Sequence, residues 1–198
     1  MKIGLLSDTH SYLDDQILRH LQDCDEIWHA GDFGTVSVSE TLAAAAPLRG
    51  VYGNIDDQQI RSLHPKVNRF NVHGLEVLIT HIGGYPGKYH PEIKNEIKAN
   101  PPHLFISGHS HILKIMPDKR LPGLLHINPG AAGRHGFHTV RTLVKFTLVA
   151  GKITNLQVVE LGKRIGWKQK SVLREHTSSI FMLNGYYELI SKTQTFLA

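Results

Sequence analysis

Five short apolar runs in this chain end in the same kinds of residue. Lys2–Ser7 runs into Asp8-Thr9-His10, Glu26–Ala30 into Gly31-Asp32, and Leu48–Tyr52 into Gly53-Asn54. Glu76–Thr80 runs into His81, and Leu104–Ser107 into Gly108-His109-Ser110-His111. Each run has the length and composition of a strand. Helical patterns separate the first three. Asp14–Gln22 has acids in its first turn and apolar residues at helical spacing, and Val36–Ala46 is stopped by Pro47. This βαβαβ order predicts parallel strands joined by right-handed crossovers. Parallel strands bring their C-terminal ends to one edge, where ligands bind in open α/β sheets. The polar endings are therefore expected together.

The middle of the chain changes character. Val67–Val72 and Glu76–Thr80 flank His73-Gly74 and predict an antiparallel hairpin. Pro91–Ala99 reads as a charged helix, and His111–Met116 and Leu124–Asn128 as strands. Val140–Val149 and Lys152–Leu161 flank Ala150-Gly151 as a terminal hairpin. The expected class is α/β: two mixed sheets face to face with helices outside. Residues 1–161 form this domain. Residues 162–198 form a C-terminal tail of unassigned role, with a weak amphipathic pattern over Ile180–Leu197.

The endings carry metal-ligand chemistry. In Asp8-x-His10 and His109-x-His111, residues two apart point to one side of an extended segment. The set comprises two carboxylates (Asp8, Asp32), one amide oxygen (Asn54) and four imidazoles (His10, His81, His109, His111). It contains no thiolate, which suits Mn, Fe, Zn or Ni. Seven ligands exceed what one first-row ion takes. They suit two divalent ions with one carboxylate shared. Such a pair outweighs the two carboxylates and a hydroxide, leaving about one positive charge for a phosphate ester.

Each residue also has a plainer reading. Asp8, Asp32 and Asn54 singly could be caps or turn formers, and Asp56 could simply buttress the turn at Gly53. His29 lies within a strand and reads as buried, behind the edge. His20, His64, His73, His90, His103 and His176 read as exposed. Asn128-Pro129-Gly130 begins a loop that is either a tight turn or a border of the site, with Arg134 or His135 on phosphate. Ser110, between two imidazoles, lacks a Ser-His-Asp setting and is not expected to be a nucleophile.

Composition excludes other classes. No apolar run reaches the ~18 residues of a membrane span, and the N-terminus lacks a signal-peptide pattern. The single Cys24 cannot form an internal disulfide. A cytoplasmic protein is expected. The formal charge is +5, but six of the 22 basic residues and only two of the 17 acidic ones fall in residues 161–198. A basic tail is not a groove-lining patch, so a nucleic-acid partner is not expected.

The ordered motifs resemble the calcineurin-like metallophosphoesterases: SDTH at 7–10, AGD at 30–32, YGN at 52–54, TH at 80–81 and SGHSH at 107–111. The short chain and the Asn128-Pro129-Gly130 turn resemble the compact bacterial and archaeal phosphodiesterase branch, related to a retromer subunit of the same fold. The resemblance covers roughly residues 1–160 and implies a four-layer α/β/β/α sandwich. It implies that Asp8, His10 and His111 hold one metal with bridging Asp32, and that Asn54, His81 and His109 hold the other. It further implies a dinuclear phosphodiesterase in which a bridging hydroxide attacks phosphorus, with Asp32, Asn54 and His109 central to catalysis. Manganese is the first expectation for the metal. The substrate would be a small phosphate ester, contacted by Asn54, Arg134 and His135. Many members carry a His after the Asn as general acid; this chain has Ile55. The alternative function is a protein-binding scaffold of the same fold with a vestigial or structural metal site. A homo-oligomer is compatible with either.

Overall fold

The computed structural model describes residues 1–164. The tail from 165 onward and the pattern over 180–197 lie outside the described residues. The parallel core is β1 (Lys2–Leu6), β2 (Glu26–His29) and β3 (Leu48–Gly50). The crossovers contain α1 (Asp15–Leu21) and α2 (Val36–Ala45). Asp14 caps α1 by accepting from the Ile17 N–H, which fixes the helix start that the acidic run predicted.

Between β3 and the next strand lies a helix the sequence reading did not anticipate, α3 (Gln58–Leu63). Asp57 caps it, accepting from the Gln59 and Ile60 N–H groups. The hairpin follows as β4 (Val67–Val72) and β5 (Leu75–Thr80). A second unanticipated feature is the small ribbon β6 (Gly84–Tyr85) and β7 (Lys88–Tyr89). Then come α4 (Pro91–Ala99), β8 (Leu104–Ile106), β9 (Lys114–Pro117), β10 (Leu125–Asn128), β11 (Val140–Val149) and β12 (Lys152–Lys163). The strand expected from His111 starts only at Lys114, because His111 turns away in a left-handed conformation.

Sheet one has the order β12-β11-β1-β2-β3, and sheet two β4-β5-β8-β10-β9. Both are mixed. Sheet one has a parallel centre with β11 antiparallel to β1. Sheet two is parallel through β5, β8 and β10, with antiparallel β4 and β9 at its edges.

The strands alternate inward and outward, and this builds the layers. Ile3, Leu5, Trp28, Val77, Ile79, Leu104 and Ile106 share one core between the sheets. Leu6 and Ile27 face the other way, onto Ile17, Leu21, Leu42 and Ile60 of the first three helices. Leu78 and Phe105 likewise face Ile93 and Ile97 of α4. The result is the four-layer α/β/β/α sandwich. Among the described residues no helix is long and apolar enough to cross a membrane.

One histidine departs from expectation. His64 follows α3 and is buried, not exposed. Its ring stacks on Phe33 with centroids 4.4 Å apart, and Nε2 lies 2.7 Å from the Ser39 hydroxyl. Burial holds its pKa below the ordinary imidazole value. His73 and His103 are exposed and His20 and His90 half-buried, whereas His176 lies outside the described residues. His29 is buried as expected.

Candidate metal centre

Both sheets deliver side chains to one edge. Asp8 and His10 follow β1, Asp32 follows β2 and Asn54 follows β3; His81 follows β5, and His109 and His111 follow β8. Two groups have donor atoms close enough to share an ion: Asp8, His10 and His111, and Asp32, His81 and His109. Each group draws on both sheets. Asn54 joins the second, with Oδ1 3.0 Å from His81 Nε2 and 2.8 Å from His109 Nδ1. Asp32 lies between the groups, its Oδ2 3.5 Å from His10 Nε2 and 3.2 Å from His81 Nε2. The seven side chains read from the strand endings therefore meet.

The local backbone explains how. Asp8, Asp32, His10, His109 and His111 have φ of 54°, 58°, 47°, 67° and 57°. Left-handed conformation costs an L-residue roughly 1–2 kcal/mol and clusters at functional sites. It turns the chain sharply off each strand. Two glycines make room. A Cβ on Gly53 would overlap Asp32, and one on Gly31 (φ +95°) would lie 2.6 Å from His81 Nδ1. Asp56 ties the loops, accepting from Gly53 N–H at 2.7 Å and Gly34 N–H at 2.8 Å. His29 supports them from behind: Nδ1 accepts from Gly31 N–H at 3.1 Å, and Nε2 lies 3.0 Å from the Thr9 hydroxyl.

The donor set fits cations on three observations. Asp8 Oδ1 is buried without a hydrogen bond, although His111 Nε2 approaches to 3.1 Å. His81 Nδ1 lies 2.8 Å from the Ala30 carbonyl, so Nδ1 carries the proton and a neutral ring turns its Nε2 lone pair toward Asn54 and Asp32 oxygens. His10 and His111 face each other Nε2 to Nε2 at 3.3 Å. Two facing ring nitrogens need either a proton on one of them or a cation between them. The charge balance shows the same need. Burial lowers the His81 pKa, but Asp32 and Asp8 outweigh it and raise it above the ordinary value. Burial raises Asp32, yet His81 and the Ile55 N–H bring it below the usual carboxylate range. His10 and His109 are lowered, chiefly by burial.

The loop after β10 borders this edge. Gly133 N–H donates to the Asp8 carbonyl and Ala132 N–H to that of Ser7. The His135 ring lies 4.9 Å from that of His10. Arg134 instead sits over the Tyr12 ring at 4.1 Å. His138, not singled out in the sequence, has its ring 5.3 Å from that of His111. It lies ten residues beyond Asn128, and no local pattern marks it. Ile55 is exposed beside Asn54, and only its backbone N–H engages the site, donating to Asp32 Oδ1 at 3.1 Å.

A model of the calcineurin-like phosphoesterase superfamily domain matches residues 1–152. The chain belongs to this superfamily. Solved structures share the fold. A novel archaeal phosphodiesterase is 21% identical with a TM-score of 0.64, the match covering 81% of this chain and 100% of that one. Vps29 from Entamoeba histolytica, complexed with zinc, is 16% identical with a TM-score of 0.61, covering 81% and 99%. A Streptococcus pneumoniae protein described as a predicted phosphoesterase is 16% identical with a TM-score of 0.58, covering 80% and 88%. No curated protein matches the chain.

Proposed function

We propose that this chain is a metal-dependent phosphodiesterase acting on a small phosphate ester through two divalent ions. The observation that carries the reading is the convergence of Asp8, His10, Asp32, Asn54, His81, His109 and His111 around a buried, unpartnered carboxylate oxygen. Asp8, His10 and His111 would hold one ion, and His81, His109 and Asn54 the other, with Asp32 shared. Bound there, divalent ions supply Lewis acidity at phosphoryl oxygens and ionise water near neutral pH.

The protein's own groups orient and balance. Asn54 adds an oxygen without charge, which keeps the centre attractive to an anion. The Ala30 carbonyl fixes the tautomer of His81. His135, beside His10, would contact a phosphoryl oxygen, and Arg134 would add positive potential from the same loop. With Ile55 in the position of the usual proton donor, good leaving groups are favoured, since general-acid help is worth ~10²–10⁴ in rate.

A protein-binding scaffold is the second reading. It is favoured by apolar exposure next to the site segments, at Ile55 (45%), Ile112 (61%) and Phe137 (102%). Metal-stripped protein reloaded with Mn, Ni, Zn or Mg and assayed on phosphomonoesters and phosphodiesters separates the two. Two ions per chain and metal-dependent diester hydrolysis are expected. No turnover at full metal occupancy would sink the enzyme reading.

A further inference from the structure

The β6–β7 ribbon borders a feature that the ligand set does not explain. A cavity of about 460 Å³ lies against it, within the size range of small-ligand sites. Its lining includes His109 of the candidate metal centre and Ile82, Tyr85, Tyr89, Ile112 and Lys114. The cavity is therefore continuous with the place where a phosphate would bind. Among the described residues no carboxylate lines it.

The wall chemistry is specific. Lys114 Nζ lies 3.6 Å from the centre of the Tyr85 ring, so the cation covers one face of the ring and leaves the other face and the edge to meet a ligand. Tyr89 is a fixed wall: its hydroxyl donates to Asp118 Oδ2 at 2.5 Å, and its ring meets Phe105 edge-on at 5.6 Å. His126 at the base has its Nε2 3.0 Å from the Ser107 hydroxyl. Ile82 and Ile112 are 37% and 61% exposed, which leaves apolar surface for a ligand to cover. A flat, uncharged π-system suits these walls. Polar side chains, Lys88, His90, Ser110 and Asn128 among them, also line the cavity, and a cationic arm would be repelled by Lys88 and Lys114.

We infer that this groove receives a planar aromatic arm of the phosphodiester, an aryl group or a nucleobase, against Tyr85 and Lys114, with the phosphate at His109. The inference rests on the phosphoesterase reading and narrows its substrate class. It also assigns Tyr85 and Lys114 as specificity residues away from the ligand set.

Three diesters with one common, non-aromatic leaving group test it: the methyl, benzyl and thymidine 5′ esters of trifluoroethyl phosphate. The aromatic arms should raise kcat/KM roughly tenfold over methyl, the size expected for stacking on an aromatic side chain. Tyr85→Ala should erase that advantage and leave the methyl ester unchanged; Tyr85→Phe should keep it, and Lys114→Ala should reduce it. A preference for benzyl alone, for thymidine alone, or for both arms supports the groove and selects its occupant. Equal rates for all three esters, or an equal loss on all three in Tyr85→Ala, overturn it while the phosphodiesterase reading stands. If no ester is hydrolysed, binding of phenylphosphonate against methylphosphonate to the metal-loaded protein decides. Tighter phenyl binding that depends on Tyr85 keeps the groove and sinks the enzyme; equal binding sinks the groove as well.

Discussion

The two sheets contribute unlike chemistry to one edge. Sheet one supplies both carboxylates, the amide oxygen and one imidazole; sheet two supplies imidazoles only. Neither holds a complete ion site, since each group of close donors spans both. The site therefore reports on the packing between the sheets as well as on its own residues. The sheets also differ in how they are braced from behind. His29 ties the loops of sheet one directly, whereas His126 of sheet two engages Ser107, one residue before Gly108.

The contrast can be broken at its charged side first. Asp32→Ala removes the carboxylate shared between the groups, and diester hydrolysis should fall about 10³-fold or more. His109→Ala on sheet two leaves both charges in place and should cost nearer 10²-fold. Equal losses would mean that charge does not separate the two sides. Next, His29→Ala should loosen the sheet-one loops without touching a ligand. Metal affinity by competitive chelation should drop about 10- to 100-fold, the usual effect of removing an outer-shell partner.

Removing the metal tests the cross-sheet clamp as a whole. At 100 times the dissociation constant, each bound ion adds about 2.7 kcal/mol. For a domain of this size chelation should then lower Tm by roughly 5–10 °C for each ion removed, read by calorimetry.

The most gradual effect, small over any one pH unit, concerns the brace of sheet two. Burial, with the Lys114 cation adding to it, lowers the His126 pKa to about 3 from 6.5. The unfolded chain thus takes up a proton between those values and the folded one does not. This contribution to stability is complete above pH 6.5 and is lost as pH falls toward 3, by at most about 1.4 kcal/mol per pH unit. His126→Phe should flatten the urea midpoint across that window; an unchanged slope would remove His126 as its source.

Much of this was legible because the signals were local. Strand, glycine and ligand follow one another within a few residues, so SDTH, AGD and SGHSH marked both the strand ends and the donors. Asp56 was readable as a turn buttress, although its second acceptance, from Gly34, joins loops 22 residues apart. The misses share a cause. Helix α3 has six mostly polar residues with only Ile60 buried, too short a pattern for periodicity. With α3 unseen, His64 had nothing to fold it onto Phe33. The β6–β7 ribbon has two residues per strand, below any alternation signal, so the aromatic groove beside it had no sequence footprint.

The left-handed turns at Asp8, His10, Asp32, His109 and His111 bear on how such a chain could change. Each residue keeps its side chain where glycine would fold more readily. A descendant freed from metal chemistry would gain stability by relaxing these positions, so loss of the ligands would be downhill and hard to reverse.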